Sequence, residues 1–149
     1  MVEDLLARVA ARPRGVPALI APGTSIDGPA LFEAVERLAA DLAGSGARVL
    51  ATLLDNGPAW IVADVAALRA GIVHVPMPAF FTSAQREHAL AVAGVDAMLA
   101  PVPFPGFEPR ACAVAGATLH LGRRSAVPAL LPEGTAKVTF TSGTTGAPK

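Results

Sequence analysis

The sequence predicts an α/β fold made of parallel βαβ units, and three observations point to it. Short β-prone apolar runs alternate with segments of helical length, the joins between them are short, and the runs are continuous rather than alternating. Continuous apolar runs belong to strands covered on both faces, and strand–helix–strand order with short joins implies a parallel sheet with right-handed crossovers.

The chain opens with a helical stretch, Val2 to Ala11, ended by Pro13. A short extended piece follows over Pro17–Ala21, then a turn at Pro22-Gly23 and a brief strand around Ser25-Ile26. Pro29 stands where the first turn of a helix tolerates proline, and the run to Ala43 is helical. Leu31, Phe32, Val35, Leu38, Ala39 and Leu42 make one apolar face, while Glu33 and Arg37 pair on the other. Gly44 and Gly46 stop that helix.

Arg48 to Leu54 reads as the first buried strand. Asn56-Gly57-Pro58 opens a helix to Ala70 that is apolar nearly all round, with Gly71 as terminator. Ile72-Val73-His74-Val75 is the next strand, cut off by Pro76 and Pro78. Thr82-Ser83-Ala84-Gln85 has capping-box spacing and starts a helix to Ala93, stopped by Gly94. Val95 to Ala100 is the following strand. Prolines at 101, 103, 105 and 109 then predict a connector without regular structure, taken as 101–117. A short strand over Thr118–Leu121 and a second proline-bearing loop lead to a final strand, Ala136–Phe140.

Composition bounds the function. The chain has 149 residues, one domain's worth, with formal net charge +0. That balance gives no electrostatic case for nucleic acid or an anionic membrane. The acidic start Met1-Val2-Glu3-Asp4 lacks the basic region of a secretion signal. The most apolar stretch, Ala59 to Met77, is broken by Asp64, Arg69 and His74 and reads as buried structure rather than a membrane span. One cysteine, Cys112, excludes an internal disulfide and fits a reducing compartment, so the cytosol is the expected location. His74 is expected as a hydrogen-bonded core residue, His88 as solvated, and His120 has no partner at ligand spacing; no metal site is indicated. Asp64, in an apolar helix, is expected to pair with Arg69 or another cation.

The last nine residues carry the chemistry. Thr141-Ser142-Gly143-Thr144-Thr145-Gly146-Ala147-Pro148-Lys149 leaves the end of a β-prone run. Gly143 and Gly146 let backbone amides approach a ligand with no Cβ in the way. The hydroxyls of Thr141, Ser142, Thr144 and Thr145 each donate a hydrogen bond, and Lys149 supplies a point charge. Donors crowded beside one cation, with no carboxylate among them, suit a polyphosphate. The chain has only two lysines, Lys137 and Lys149, so a lysine here is not background usage. The spacing is not that of the Walker A loop, because the glycines are too close and Pro148 precedes the lysine.

The segment resembles the phosphate-binding signature of the adenylate-forming superfamily, which includes acyl-CoA synthetases, peptide-synthetase adenylation domains and luciferase. Asp55-Asn56-Gly57-Pro58-Ala59-Trp60 and Ala66 through Pro76 fall in that family's order, although the region from Pro101 to Pro132 does not align. The resemblance implies that residues 1–149 are the N-terminal portion of a larger enzyme, inactive alone, in which a carboxylic acid and ATP give an acyl-adenylate and pyrophosphate. Acyl transfer to CoA or a pantetheine thiol would follow. It implies a nucleotide-binding loop of Thr141, Ser142, Gly143, Thr144, Thr145, Gly146 and Lys149 gripping the β- and γ-phosphates. On that resemblance the Ser142, Thr144 and Thr145 hydroxyls and the Gly143 amide donate to phosphate oxygens, Thr141 shapes the loop, Lys149 neutralises charge on the leaving pyrophosphate, and Mg2+ is held by residues of the missing remainder. Two other readings stay open: a non-catalytic truncated paralogue serving as an interaction piece, and a small flavodoxin-like domain binding a phosphorylated ligand.

Overall fold

The computed structural model describes residues 1–141. Helix α1 spans Val2–Ala10 and is followed by an antiparallel ribbon, β1 (Pro17–Ala21) with β2 (Thr24–Asp27). Helix α2 (Gly28–Gly44) begins where the Asp27 carboxylate accepts the Ala30 amide at 2.9 Å, with Pro29 in its first turn. That arrangement satisfies one of the orphan amides of a helix start. A Cβ on Gly28 would run into the backbone of Val9 and the Arg12 side chain, so glycine is what lets α1 seat on α2.

The central sheet begins at β3 (Val49–Thr52), continues through α3 (Pro58–Arg69) to β4 (Val73–Pro76), and through α4 (Ser83–Val92) to β5 (Ala97–Ala100). β4 and β5 both pair parallel with β3, one on each side. The predicted parallel βαβ units are therefore present. Two more strands, β6 (Glu108–Val114) and β7 (Ala117–Arg123), give the order β4-β3-β5-β7-β6, and both join antiparallel to their neighbours. The sheet is mixed rather than purely parallel.

Two expectations need correction. The connector expected over 101–117 is irregular only as far as Phe107, because residues 108–114 form β6. Pro109 survives there because β6 is the edge of the sheet, where a residue without an N–H is tolerated. The expected final strand Ala136–Phe140 is reduced to a single parallel bridge, Lys137 against His74, on the outer edge of β4.

Leu50, Leu99, Leu119 and Leu121 on one sheet face pack with Val35, Leu42, Val62 and Ala66 of α2 and α3. On the opposite face Ala51, Val75 and Met98 meet Ala89 and Leu90 of α4. The continuous apolar runs are explained by this sandwich: β3 and β5 are buried at every position. α4 starts with the predicted capping box, in which Thr82 Oγ1 accepts the Gln85 amide and Gln85 Oε1 accepts the Thr82 amide. No helix among the described residues is long and apolar enough to cross a membrane.

Candidate functional site

The parallel strands β3 and β4 end at one edge of the sheet, and the segment after the Lys137 bridge ends beside them. Between these ends lies an open cleft of about 400 Å³, walled by Asp55, Asn56, Trp60, Met77, Thr139 and Phe140 among others. Open α/β sheets place ligands in the crevice outside the carboxyl ends of parallel strands. A groove of about 460 Å³ elsewhere is lined by Asp27, Glu33, Arg37 and Gly116 of the ribbon, α2 and the β6–β7 turn. It lacks the strand from which the expected phosphate loop departs, so the strand-end cleft is the better candidate.

Of the predicted site residues, Thr141 is exposed at the end of the segment that walls this cleft. Ser142, Gly143, Thr144, Thr145, Gly146 and Lys149 lie outside the described residues. The described lining offers an aromatic wall, the Asn56 amide and the Thr139 hydroxyl, with the Asp55 carboxylate and no cation. It thus offers hydrogen-bonding and aromatic groups but no positive charge. Among the described residues no group of three or more His, Cys, Asp or Glu is placed to hold a metal ion.

Behind the cleft wall runs a polar network. Asp64 Oδ1 lies 2.6 Å from His74 Nδ1 and 2.7 Å from Lys137 Nζ. His74 Nε2 is 2.9 Å from Thr52 Oγ1. The Lys137 ammonium stands 5.3 Å from the centre of the Trp60 ring, and that ring is 6.0 Å from the imidazole. Burial holds the His74 pKa below its ordinary value despite the Asp64 carboxylate, so the imidazole is neutral at pH 7. Nδ1–H then donates to Asp64, and Nε2 accepts from the Thr52 hydroxyl. For Asp64, burial pulls its pKa up, but the hydrogen bonds from Lys137 and His74 outweigh it and leave it lowered.

Thr52, His74 and Asp64 have the connectivity of a nucleophile–base–acid triad. Thr52 and His74 are each only 1% exposed, so no substrate reaches the hydroxyl and the group is structural. His74 is the hydrogen-bonded core residue the sequence predicted. Asp64 pairs with Lys137, whereas the alternative partner Arg69 bonds Glu36 at 2.9 Å. Sequence reasoning missed the Asp64–Lys137 contact, and the signals for it were a lone acid in an apolar helix and one of two lysines. It gave Trp60 and Asn56 no role beyond their place in the family's order, although both wall the cleft.

Comparison with known proteins accords with this geometry. The chain resembles o-succinylbenzoate coenzyme A synthetase (MenE) from Bacillus subtilis in complex with the acyl-adenylate intermediate OSB-AMP, with TM-score 0.69 and 22% identity over 97% of this chain. It resembles the Klebsiella oxytoca NpsA N-terminal subdomain in complex with 3-hydroxybenzoyl-AMSN, with TM-score 0.68 and 23% identity, again over 97% of this chain. At these identities the likeness shows the fold. The chain spans 40% and 38% of those two chains. No curated protein matches it. The family described as AMP-binding enzyme, however, matches residues 6–149, nearly the whole sequence including its terminal Thr/Ser/Gly/Lys segment, and the chain belongs to that family.

Proposed function

We propose that residues 1–149 are the N-terminal part of an ATP-dependent acid-activating ligase of acyl-CoA synthetase type. In its first half-reaction a carboxylate oxygen attacks the α-phosphorus of ATP, the bond to the β-phosphate oxygen breaks, and pyrophosphate leaves. A thiol, of CoA or of a pantetheine arm, then takes the acyl group and releases AMP. A carboxylate needs this activation because its own leaving group would be oxide. Ser142, Thr144 and Thr145 hydroxyls and the Gly143 amide donate to phosphate oxygens, Thr141 shapes the loop, and Lys149 neutralises the charge growing on pyrophosphate. Mg2+ would share that charge, on ligands contributed by residues beyond this chain.

The observation that carries the reading is the Thr141–Lys149 segment itself, in a chain whose residues 6–149 match the family of AMP-binding enzymes. The strand-end cleft where Thr141 begins supports it. The MenE structure solved with ATP and magnesium ion also resembles this chain, with TM-score 0.59 and 25% identity over 66% of it.

The test is acid-dependent exchange of labelled pyrophosphate into ATP by the product of the complete reading frame, with a panel of fatty, aromatic and short carboxylic acids. Exchange is expected with at least one acid, and Lys149→Ala should slow it by roughly 10²-fold, as loss of one charge-stabilising group does. Exchange at an unchanged rate in Lys149→Ala removes the role given to that lysine. The 149-residue chain assayed alone should show none.

A further inference from the structure

The segment that leads into the phosphate loop is held to the sheet by very little main chain. Among the described residues its two backbone hydrogen bonds to the sheet both fall on His74: the His74 amide donates to the Ala136 carbonyl at 2.9 Å, and the Val138 amide donates to the His74 carbonyl at 2.9 Å. A full edge strand would add bonds at every second residue, but the pairing stops at one bridge. Val138 and Phe140 of the segment pack partly buried against the core on the α4 side, and a polar side chain adds a further tie. Lys137 Nζ reaches Asp64 Oδ1 on α3, the same oxygen that takes the His74 ring nitrogen.

This pair differs from an ordinary surface ion pair. Asp64 is 26% exposed and Lys137 38%, and the same carboxylate oxygen is also held by a buried imidazole. A partner already held rigid loses less freedom on binding, and screening is weaker than at the open surface. The ammonium also rests on Trp60, so one interaction fixes both the segment and the aromatic wall of the cleft. Beyond Lys137 and Val138 come Thr139 and Phe140, which form the facing wall, and then Thr141.

We propose that Lys137, Asp64 and His74 form a latch that sets the position of residues 136–141, and that they are positioning residues for nucleotide binding and adenylate formation. None of the three touches the reacting atoms. The latch holds the strand end from which the phosphate-binding residues depart, and small displacements of positioning groups are amplified in such sites. The functional half of this inference rests on the ligase reading above.

The experiment uses the product of the complete reading frame and reads KM for ATP and kcat in pyrophosphate exchange together with amide hydrogen exchange. Lys137→Met should raise KM for ATP about tenfold with kcat changed less than about threefold, and Lys137→Arg should restore most of the loss. Asp64→Asn should behave as Lys137→Met does, and the double variant should be no worse than the worse single one, because both remove one contact. In Lys137→Met the Val138 amide should exchange faster while the Leu50 and Leu99 amides of the core do not. An unchanged KM in Lys137→Met, or a fall in melting temperature with core exchange accelerated and no change in KM, overturns the positioning role. Absence of exchange activity in the wild type overturns the ligase reading instead. The latch as a structural device is then decided by Val138 alone, and an unaltered rate there sinks it.

Discussion

A single buried carboxylate joins three strands at the end of the sheet opposite the cleft. Asp96, just before β5, accepts the Arg48 and Val49 amides at 3.0 Å each at the start of β3. It pairs with Arg48 Nε and with Arg123 Nη1 at the end of β7, both at 3.1 Å, and is itself 3% exposed. Burial works to raise its pKa, but the two amides and the guanidinium groups together hold it below the ordinary value. Asp96→Ala leaves buried donors unpaired and should destabilise the protein by about 3 kcal/mol, while Asp96→Asn, which keeps one acceptor oxygen, should lose about half of that. Urea titration of the two variants checks the order: equal losses would mean that a neutral acceptor contributes nothing, and no loss in Asp96→Asn would mean that the charge is idle. Nothing in the sequence revealed this hub, because its partners stand far away along the chain and a lone aspartate before a strand carries no periodic signal. The phosphate segment was legible for the opposite reason: its donors are consecutive, so local composition displays them. Asp64 and Lys137 fall between these cases, each odd in its own surroundings but joined only by the fold.

Elements whose determinants are local read well from sequence. The helix of Thr82 and Gln85 was visible because a capping box is a spacing of three residues, and α2 and α3 before it give way to Gly46 and Gly71 where expected. β6 was hidden because its pairing with β7 is decided by position in the sheet, and its proline obscured an edge strand that accepts proline. The β6–β7 hairpin turns through Ala115 and Gly116, with φ of +50° and +82°. Positive φ at both central residues of a two-residue loop is the type I′ arrangement, which favours Asn-Gly and strains alanine. Ala115→Asn should therefore stabilise the protein by about 0.5–1 kcal/mol, seen as a higher denaturant midpoint at unchanged m-value. A midpoint that stays or falls would mean that the alanine methyl, which packs on the core, contributes more than the backbone strain removes.

For the molecule as a whole, the buried charges make acid sensitivity a two-stage process. His74 is neutral in the folded protein because burial, opposed only in part by Asp64, lowers its pKa, and the Lys137 charge beside Asp64 works in the same direction. A histidine whose folded pKa lies below its unfolded value of about 6.5 is protonated first in the unfolded chain. Stability from this source is complete above about pH 6.5 and declines as pH falls below it, by at most about 1.4 kcal/mol per pH unit. Asp64, Asp96 and Asp27 have lowered pKa values, so their contribution is present above the unfolded carboxylate range and is lost as pH falls through the folded values, below about pH 4. Chemical denaturation at pH 7.5, 5.5 and 3.5 separates the stages. The wild type should lose stability across both intervals, whereas His74→Gln, less stable at pH 7.5, should be flat between pH 7.5 and 5.5 and fall only in the second. A wild type that instead gains stability relative to His74→Gln over the first interval would show that the imidazole is already charged in the fold. The neutral acceptor assigned to the Thr52 hydroxyl, and with it the direction of every proton in the Thr52–His74–Asp64 network, would then be wrong.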